Sequence, residues 1–100
     1  MNSNSYRISE TAIEDLENIW IYTCKNWSVE QADHYYNLII NEIEFLADNF
    51  LSGKSMDHIK SEYRASKVKS HMIFYKKAQD NKLEVIRVLH QMMDLENRLI

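Results

Sequence analysis

Two β-rich runs near the C-terminus, separated by a short polar turn, constrain this chain more than any other feature. The first is His71-Met72-Ile73-Phe74-Tyr75-Lys76-Lys77 and the second is Leu83-Glu84-Val85-Ile86-Arg87-Val88-Leu89-His90. Both are dense in β-branched and aromatic side chains, which suit a pleated, half-buried surface. Between them Gln79-Asp80-Asn81-Lys82 supplies an Asp-Asn pair fit for a tight turn. The pattern predicts a hairpin with strands near 71–78 and 83–90. The second run is apolar at nearly every position except Arg87, so it predicts an interior strand. Alternation places Val85, Arg87 and Leu89 on one face and Ile86, Val88 and His90 on the other.

Upstream the chain has no proline and a single glycine, Gly53, so boundaries must come from caps and periodicity. Tyr6-Arg7-Ile8 reads as a short strand near 5–9. Ser9 or Thr11 can cap a helix over 10–27, and Thr11-x-x-Glu14 matches a capping box. Ala12, Leu16, Ile19, Trp20, Thr23 and Trp27 recur at the period of a one-sided helix. Ser28-x-x-Gln31 is a second capping box, opening a helix over 28–50 with the stripe Val29, Ala32, Tyr36, Ile39, Ile43, Leu46 and Phe50. A connection this short predicts an antiparallel helical hairpin. Glu62-Tyr63-Arg64-Ala65 predicts one more strand, near 62–67.

The expected architecture is therefore α+β: an N-terminal strand and an antiparallel two-helix hairpin packed on a small antiparallel sheet, in the order β-α-α-β-β-β. Leu16, Trp20, Ile39, Ile43, Ile73, Tyr75, Ile86 and Val88 are expected to dominate the core. The aromatic residues at helical spacing (Trp20, Trp27, Tyr22, Tyr35 and Tyr36) are expected to be mostly core, and Cys24 a small packed side chain. Glu14, Asp15 and Glu17 are expected to favour the helix dipole and face water.

One hundred residues predict one domain, spanning 1–100. No apolar run approaches a membrane span. The polar start Met1-Asn2-Ser3-Asn4-Ser5 reads as no secretory leader, and one cysteine fits a reducing compartment, so the expected location is the cytoplasm. The net charge of −3 hides an asymmetry. Residues 1–50 carry nine acids against Arg7 and Lys25, while residues 51–100 carry ten Lys and Arg against six acids. Two faces with different partners would produce this, and so would two halves that neutralise each other on folding. A dedicated RNA-binding protein is usually more basic. His58, His71 and His90 lack metal-ligand spacing. There is no Gly-rich phosphate loop, nucleophile elbow or CxxC, and no cofactor or metal is expected.

The pattern H-x-I-F-Y-K, turn, V-I-R-V-L-H-x-x-M-D resembles the C-terminal half of ParE-type toxins of bacterial toxin–antitoxin modules, within the RelE/ParE superfamily. Tyr6-Arg7-Ile8-Ser9, Ala12, Asp15-Leu16, Ile19-Trp20, Tyr22, Trp27, Gln31-Ala32 and Tyr35 continue the resemblance upstream, so that it covers residues 6–95. It implies a RelE/ParE-like fold and a toxin that binds DNA gyrase and traps its DNA-cleavage complex. Such a toxin makes and breaks no bond itself, and a ParD-like antitoxin silences it. Membrane association and sequence-specific nucleic-acid binding by the toxin alone are not implied.

An alternative is the ribosome-dependent mRNA endonuclease of RelE type, which needs cations for the phosphate transition state. Arg64 matches that family's middle arginine. Gln91 and Met92 stand where a Gly-Arg pair is usual, and Lys54 and Lys60 are six apart rather than paired. The cleavage set is incomplete. A degenerate member that only binds antitoxin is the third reading. Arg64, Lys67, Lys69, Arg87, His90 and Met92 are the candidate antitoxin- or target-binding residues. For Arg64 and Arg87 the competing expectation is a half-buried stem pairing with the acidic hairpin, and for His90 a local hydrogen bond. Met93 is expected in the core, Met92 exposed, and a helical turn after Asp94.

Overall fold

Ser9 turns the chain from strand into helix. In the computed structural model, which describes residues 6–91, its backbone is extended (φ −64°, ψ 159°) and its hydroxyl accepts from the Ala12 amide. That is the N-cap geometry, so Ser9 and not Thr11 opens the helix. The same hydroxyl donates to the Ile86 carbonyl at 2.9 Å, tying the cap to the far end of the chain. Strand β1 (Tyr6–Ile8) thus leads directly into α1 (Glu10–Asn26). Ser28 caps α2 (Val29–Asp48) through the Gln31 amide, as its capping-box sequence predicts. The two helices pack as a hairpin.

A single 3-10 turn, Phe50–Ser52, leads out of α2 into β2 (Lys54–Ser55), β3 (Arg64–Val68), β4 (His71–Lys77) and β5 (Leu83–His90). The sheet order is β1-β5-β4-β3-β2. All pairs are antiparallel except β1–β5, which is parallel and joins Tyr6–Ile8 to Leu83–Val85. A parallel pair needs a long crossover, and the intervening hairpin and strands provide it. The expected α+β fold is present, with β5 interior as its apolar run requires. The β4–β5 turn places Asn81 in the left-handed region (φ 68°), a conformation Asn tolerates better than most residues.

The expected alternation along β5 does not hold. Phe74 pairs with Arg87 and Tyr75 with Val85, which leaves Ile86 as the extra residue of a β-bulge. A bulge shifts the two-residue period by one. Val85 and Val88 accordingly both join the helix-side core with Leu16, Ile39, Ile43, Ile73 and Tyr75. Ile86 and Leu89 belong to a second cluster on the opposite face, with Phe74, Ala65, Met56 and Tyr63. The loop between β2 and β3 covers that face, closed by a hydrogen bond from the Met56 amide to the Tyr63 carbonyl.

Trp20 and Ile86, expected in the core, are only half-buried. Tyr22, Trp27 and Tyr36 are exposed by 61%, 66% and 40%. Tyr36 lies on α2; for Tyr22 and Trp27 the cause is the placement of α1. Its fully buried residues, Ala12 and Leu16, lie in its first half, where it crosses β5. At about 1.5 Å per residue the second half outruns the sheet, and its aromatic side chains stay open. Trp20 instead bridges the two helices from outside, its indole N–H donating to Asp33 at 2.9 Å. Met92, Met93 and the tail after Asp94 lie outside the described residues.

Candidate partner-binding site

Where α1 outruns the sheet, a groove of about 960 Å³ opens between the helical hairpin and the end of β5. Helical rows from α1 (Glu14, Asp15, Ile19, Tyr22) and α2 (His34, Tyr35, Leu38) form one wall. The β3–β4 turn (Lys69, Ser70, His71) and Arg87–His90 form the other. At its mouth Tyr22 and Trp27 meet edge to face, 6.1 Å between ring centroids. Apolar walls with a few fixed polar groups are the usual make-up of a binding cleft.

The floor is set by a shortage of strand. β1 covers β5 only at Leu83–Val85, so the rest of that edge needs other partners. Ser9 takes the first share: its amide donates to the Val85 carbonyl and its hydroxyl to that of Ile86. Asp15 takes the next. Its carboxylate accepts from the Val88 amide at 3.0 Å and from Arg87 through Nε at 2.8 Å and Nη2 at 2.9 Å. Side-chain exposure in this pair is 20% for Arg87 and 13% for Asp15. Asp15 therefore does not face water as Glu14 does. The hydrogen bond from Asp15 holds the Arg87 guanidinium's pKa above its usual value, against the opposing effect of burial. Of the two expectations for Arg87, pairing with the acidic hairpin is the one realised.

Beside this pair the structure places three groups in series. The Tyr35 hydroxyl lies 2.7 Å from His71 Nδ1 and donates to the Val68 carbonyl at 3.0 Å. With its one proton on Val68, that hydroxyl accepts from an Nδ1–H tautomer of His71. His71 and His90 are cross-strand partners whose rings meet edge to face at 5.3 Å. Burial, reinforced by His90 and only partly opposed by Asp15, lowers the His71 pKa to about 4. His71 is thus a neutral wall of the groove near pH 7.

The remaining candidates separate. Lys69, at φ 55° in the β3–β4 turn, is exposed and lines the groove. Lys67 is exposed on β3, outside it. Arg64 is committed elsewhere: Nη2 donates to the carbonyls of Leu51 and Gly53, and the guanidinium lies 6.0 Å from the Phe50 ring. Its buried Nε has no hydrogen-bond partner among the described residues. Met92 lies outside them. Lys69, Arg87 and His90 come together; Arg64 and Lys67 do not join them.

Sequence reasoning missed Tyr22, Trp27, His71 and Asp15 as groove residues. The available signal was positional: Tyr22 falls off the α1 stripe, and Trp27 abuts the Ser28 cap where a helix ends. Glu14 and Asp15 offset Lys69 and Arg87, so the groove carries no net cationic field of the kind phosphate binding requires. Among the described residues no group of three or more His, Cys, Asp and Glu could hold a metal ion.

The family model described as "ParE toxin of type II toxin-antitoxin system, parDE" matches residues 6–95. The chain is 36% identical over 97 residues to "Toxin ParE1" of Mycobacterium tuberculosis H37Rv, covering 97% of this chain and 99% of that one. It is also 36% identical over 94 residues to "Toxin ParE1" of Caulobacter vibrioides, covering 94% and 96%. A solved structure titled "Chromosomal ParDE TA system from P. aeruginosa" superposes with a TM-score of 0.73 over 86% of this chain and 94% of that one. At 15% identity that likeness concerns the fold.

Proposed function

Because this chain belongs to the ParE toxin family of type II toxin–antitoxin systems, we propose that it binds DNA gyrase and traps the gyrase–DNA cleavage complex. A ParD-like antitoxin silences it in this reading. The chain acts in the cytoplasm as a single domain. The observation that carries the proposal is the match across residues 6–95 together with near full-length relatives that bear the toxin's name.

Two features favour recognition over catalysis. Arg64, the residue a nuclease would turn toward phosphate, is held through Nη2 by two carbonyls that follow α2. Tyr75 is fully buried, its hydroxyl donating to the Phe50 carbonyl at 2.7 Å and accepting from the Gly53 amide at 3.0 Å. Tyr75 is thus closed off from the solvent that general acid–base work requires.

In this reading the antitoxin seats a segment that folds on binding in the groove between hairpin and sheet, with Tyr22 and Trp27 as anchors. Lys69 and Lys67 steer it and His90 lines its path, with Met92, outside the described residues, as a further contact in this reading. Arg64 and Arg87 contribute by holding the surface in shape.

The deciding experiment adds purified protein to gyrase and supercoiled plasmid. The expected result is an increase in gyrase-dependent double-strand breaks, with induction of the DNA-damage response and filamentation in expressing cells. Codon-phased cleavage of ribosome-bound mRNA with gyrase unaffected would replace this reading with the nuclease. Neither effect would leave a family member that only binds antitoxin.

A further inference from the structure

On the opposite side of α1 from the groove already described, the helical hairpin carries a second depression of about 950 Å³. Its apolar surface comes from Ile8, Ile13, Trp20, Ile21 and Tyr36. Ile13, Ile21 and Tyr36 are among the large side chains the fold leaves exposed, by 44%, 45% and 40%. Three such residues converging on one hollow form a patch, unlike singly scattered surface apolars.

The charges around it are of one sign. Glu17 and Asp33 line the hollow, and among the described residues no Lys, Arg or His does. Asp33 is held in place by the Trp20 indole, which engages Oδ1. Its other oxygen, and the whole Glu17 carboxylate, have no hydrogen-bond or ion-pair partner among the described residues. Farther along the same face of α2, Glu44 lies close enough to Tyr6 to help burial raise that phenol's pKa. The first groove differs in kind, since its acids and cations offset one another.

Uncompensated carboxylates beside exposed isoleucines and aromatic rings select one occupant chemistry. We propose that this hollow is a docking site for a cationic amphipathic helix of a partner protein, its apolar stripe against Ile13, Ile21 and Tyr36 and its Lys or Arg side chains against Glu17 and Asp33. A helix laid in a groove presents anchors at i, i+3/i+4 and i+7. Flanking cations would meet complementary potential on both rims. This site is separate from the groove assigned to the antitoxin segment and stands whether or not gyrase is the target.

The test uses the full chain with Trp27→Phe, so that Trp20 alone reports on the hollow. The probes are two synthetic 18-residue helical peptides with the same Leu stripe, one flanked by Lys and the other by Glu. The Lys peptide is expected to blue-shift Trp20 emission and to bind about tenfold or more tightly than the Glu peptide, a gap that narrows with salt. Ile21→Asp, at an exposed position, is expected to weaken the Lys peptide about tenfold. Glu17→Lys is expected to weaken it about fivefold and flatten the salt dependence. Circular dichroism of each variant confirms the fold is kept. Equal binding of the two peptides, or a Lys peptide indifferent to Ile21→Asp, would overturn the proposal. So would sedimentation showing that the chain itself dimerises through this face and that Ile21→Asp makes it monomeric.

Discussion

Replacing Asp15 by Ala removes three acceptor contacts at once: two from Arg87 and one from the Val88 amide. What remains is a guanidinium only 20% exposed without its counter-charge, and a strand amide with no acceptor. Breaking a fully buried ion pair costs about 3–5 kcal/mol, and orphaning a buried donor about 1–3 kcal/mol. These do not add fully, and residual exposure lets water reach the guanidinium, so the expected loss is about 3 kcal/mol. For a domain of this size that lowers Tm by about 12–24 °C. Asp15→Asn keeps an acceptor but no charge and should lose about half as much. The combination Asp15→Leu with Arg87→Met should recover the part of the loss due to the ion pair, because packed apolar groups can replace a buried pair at little cost. It leaves only the orphaned Val88 amide, at about 1–3 kcal/mol. Urea unfolding followed by tryptophan fluorescence measures all of these. If Asp15→Ala lost less than about 1 kcal/mol, the carboxylate would not be what closes the β5 edge, and the account of the groove floor would fail.

Three further outcomes are expected. His71 is held neutral in the folded chain, at a pKa of about 4 against 6.5 unfolded, so the unfolded chain binds more protons between those values. Stability should therefore fall as pH drops from about 6.5 to about 4, and His71→Gln should flatten that slope in pH-dependent denaturation. Gly53→Ala would place a Cβ 2.0 Å from the Tyr75 hydroxyl; it should cost about 1–3 kcal/mol by displacing that ring, read as a lower urea midpoint. Reversing Lys67 and Lys69 to Glu should leave unfolding unchanged while slowing antitoxin association and reducing its salt dependence. Reversing Arg64 and Arg87 should instead unfold the chain, and indistinguishable behaviour of the two double variants in a thermal melt and a binding assay would contradict this division.

Local rules carried the reading of elements a long way. The Ser28 capping box, the Asp-Asn turn and the β-branched density of residues 83–90 each state their geometry within a few residues, and the structure follows them. What the sequence hides is set between elements. The bulge at Ile86 has no signature in the run Val85-Ile86-Arg87-Val88, yet it reassigns the face of every residue after it. Asp15 looks like any carboxylate near a helix start until β1 proves too short to cover β5. Tyr22 and Trp27 look like core because periodicity reports a face of the helix, not how far the sheet extends beneath it. Met56 and Tyr63 gave no expectation of a second cluster, since the loop holding them has no period. Among the site candidates, residue type alone could not separate exposed Lys69 from Arg64, whose Nη2 is held by two backbone carbonyls.

The pairing of the first strand with the last makes this fold sensitive to the completeness of its own synthesis. Ser9 bonds Ile86 across 77 residues, and Asp15 meets Val88 across 73. A ribosome that has released the helical hairpin has made a local, quickly formed structure. That hairpin has no sheet to cover its apolar side, and Tyr6–Ile8 has no neighbour until Leu83–Val85 emerges. A product that stops short of residue 83 lacks the strand that joins β1 to β4, leaving both edges unpaired and prone to aggregation and proteolysis. The groove, built from the late strand and the early helix, exists only once β5 has been made. Translation through His90 is thus a condition for having a partner-binding surface at all.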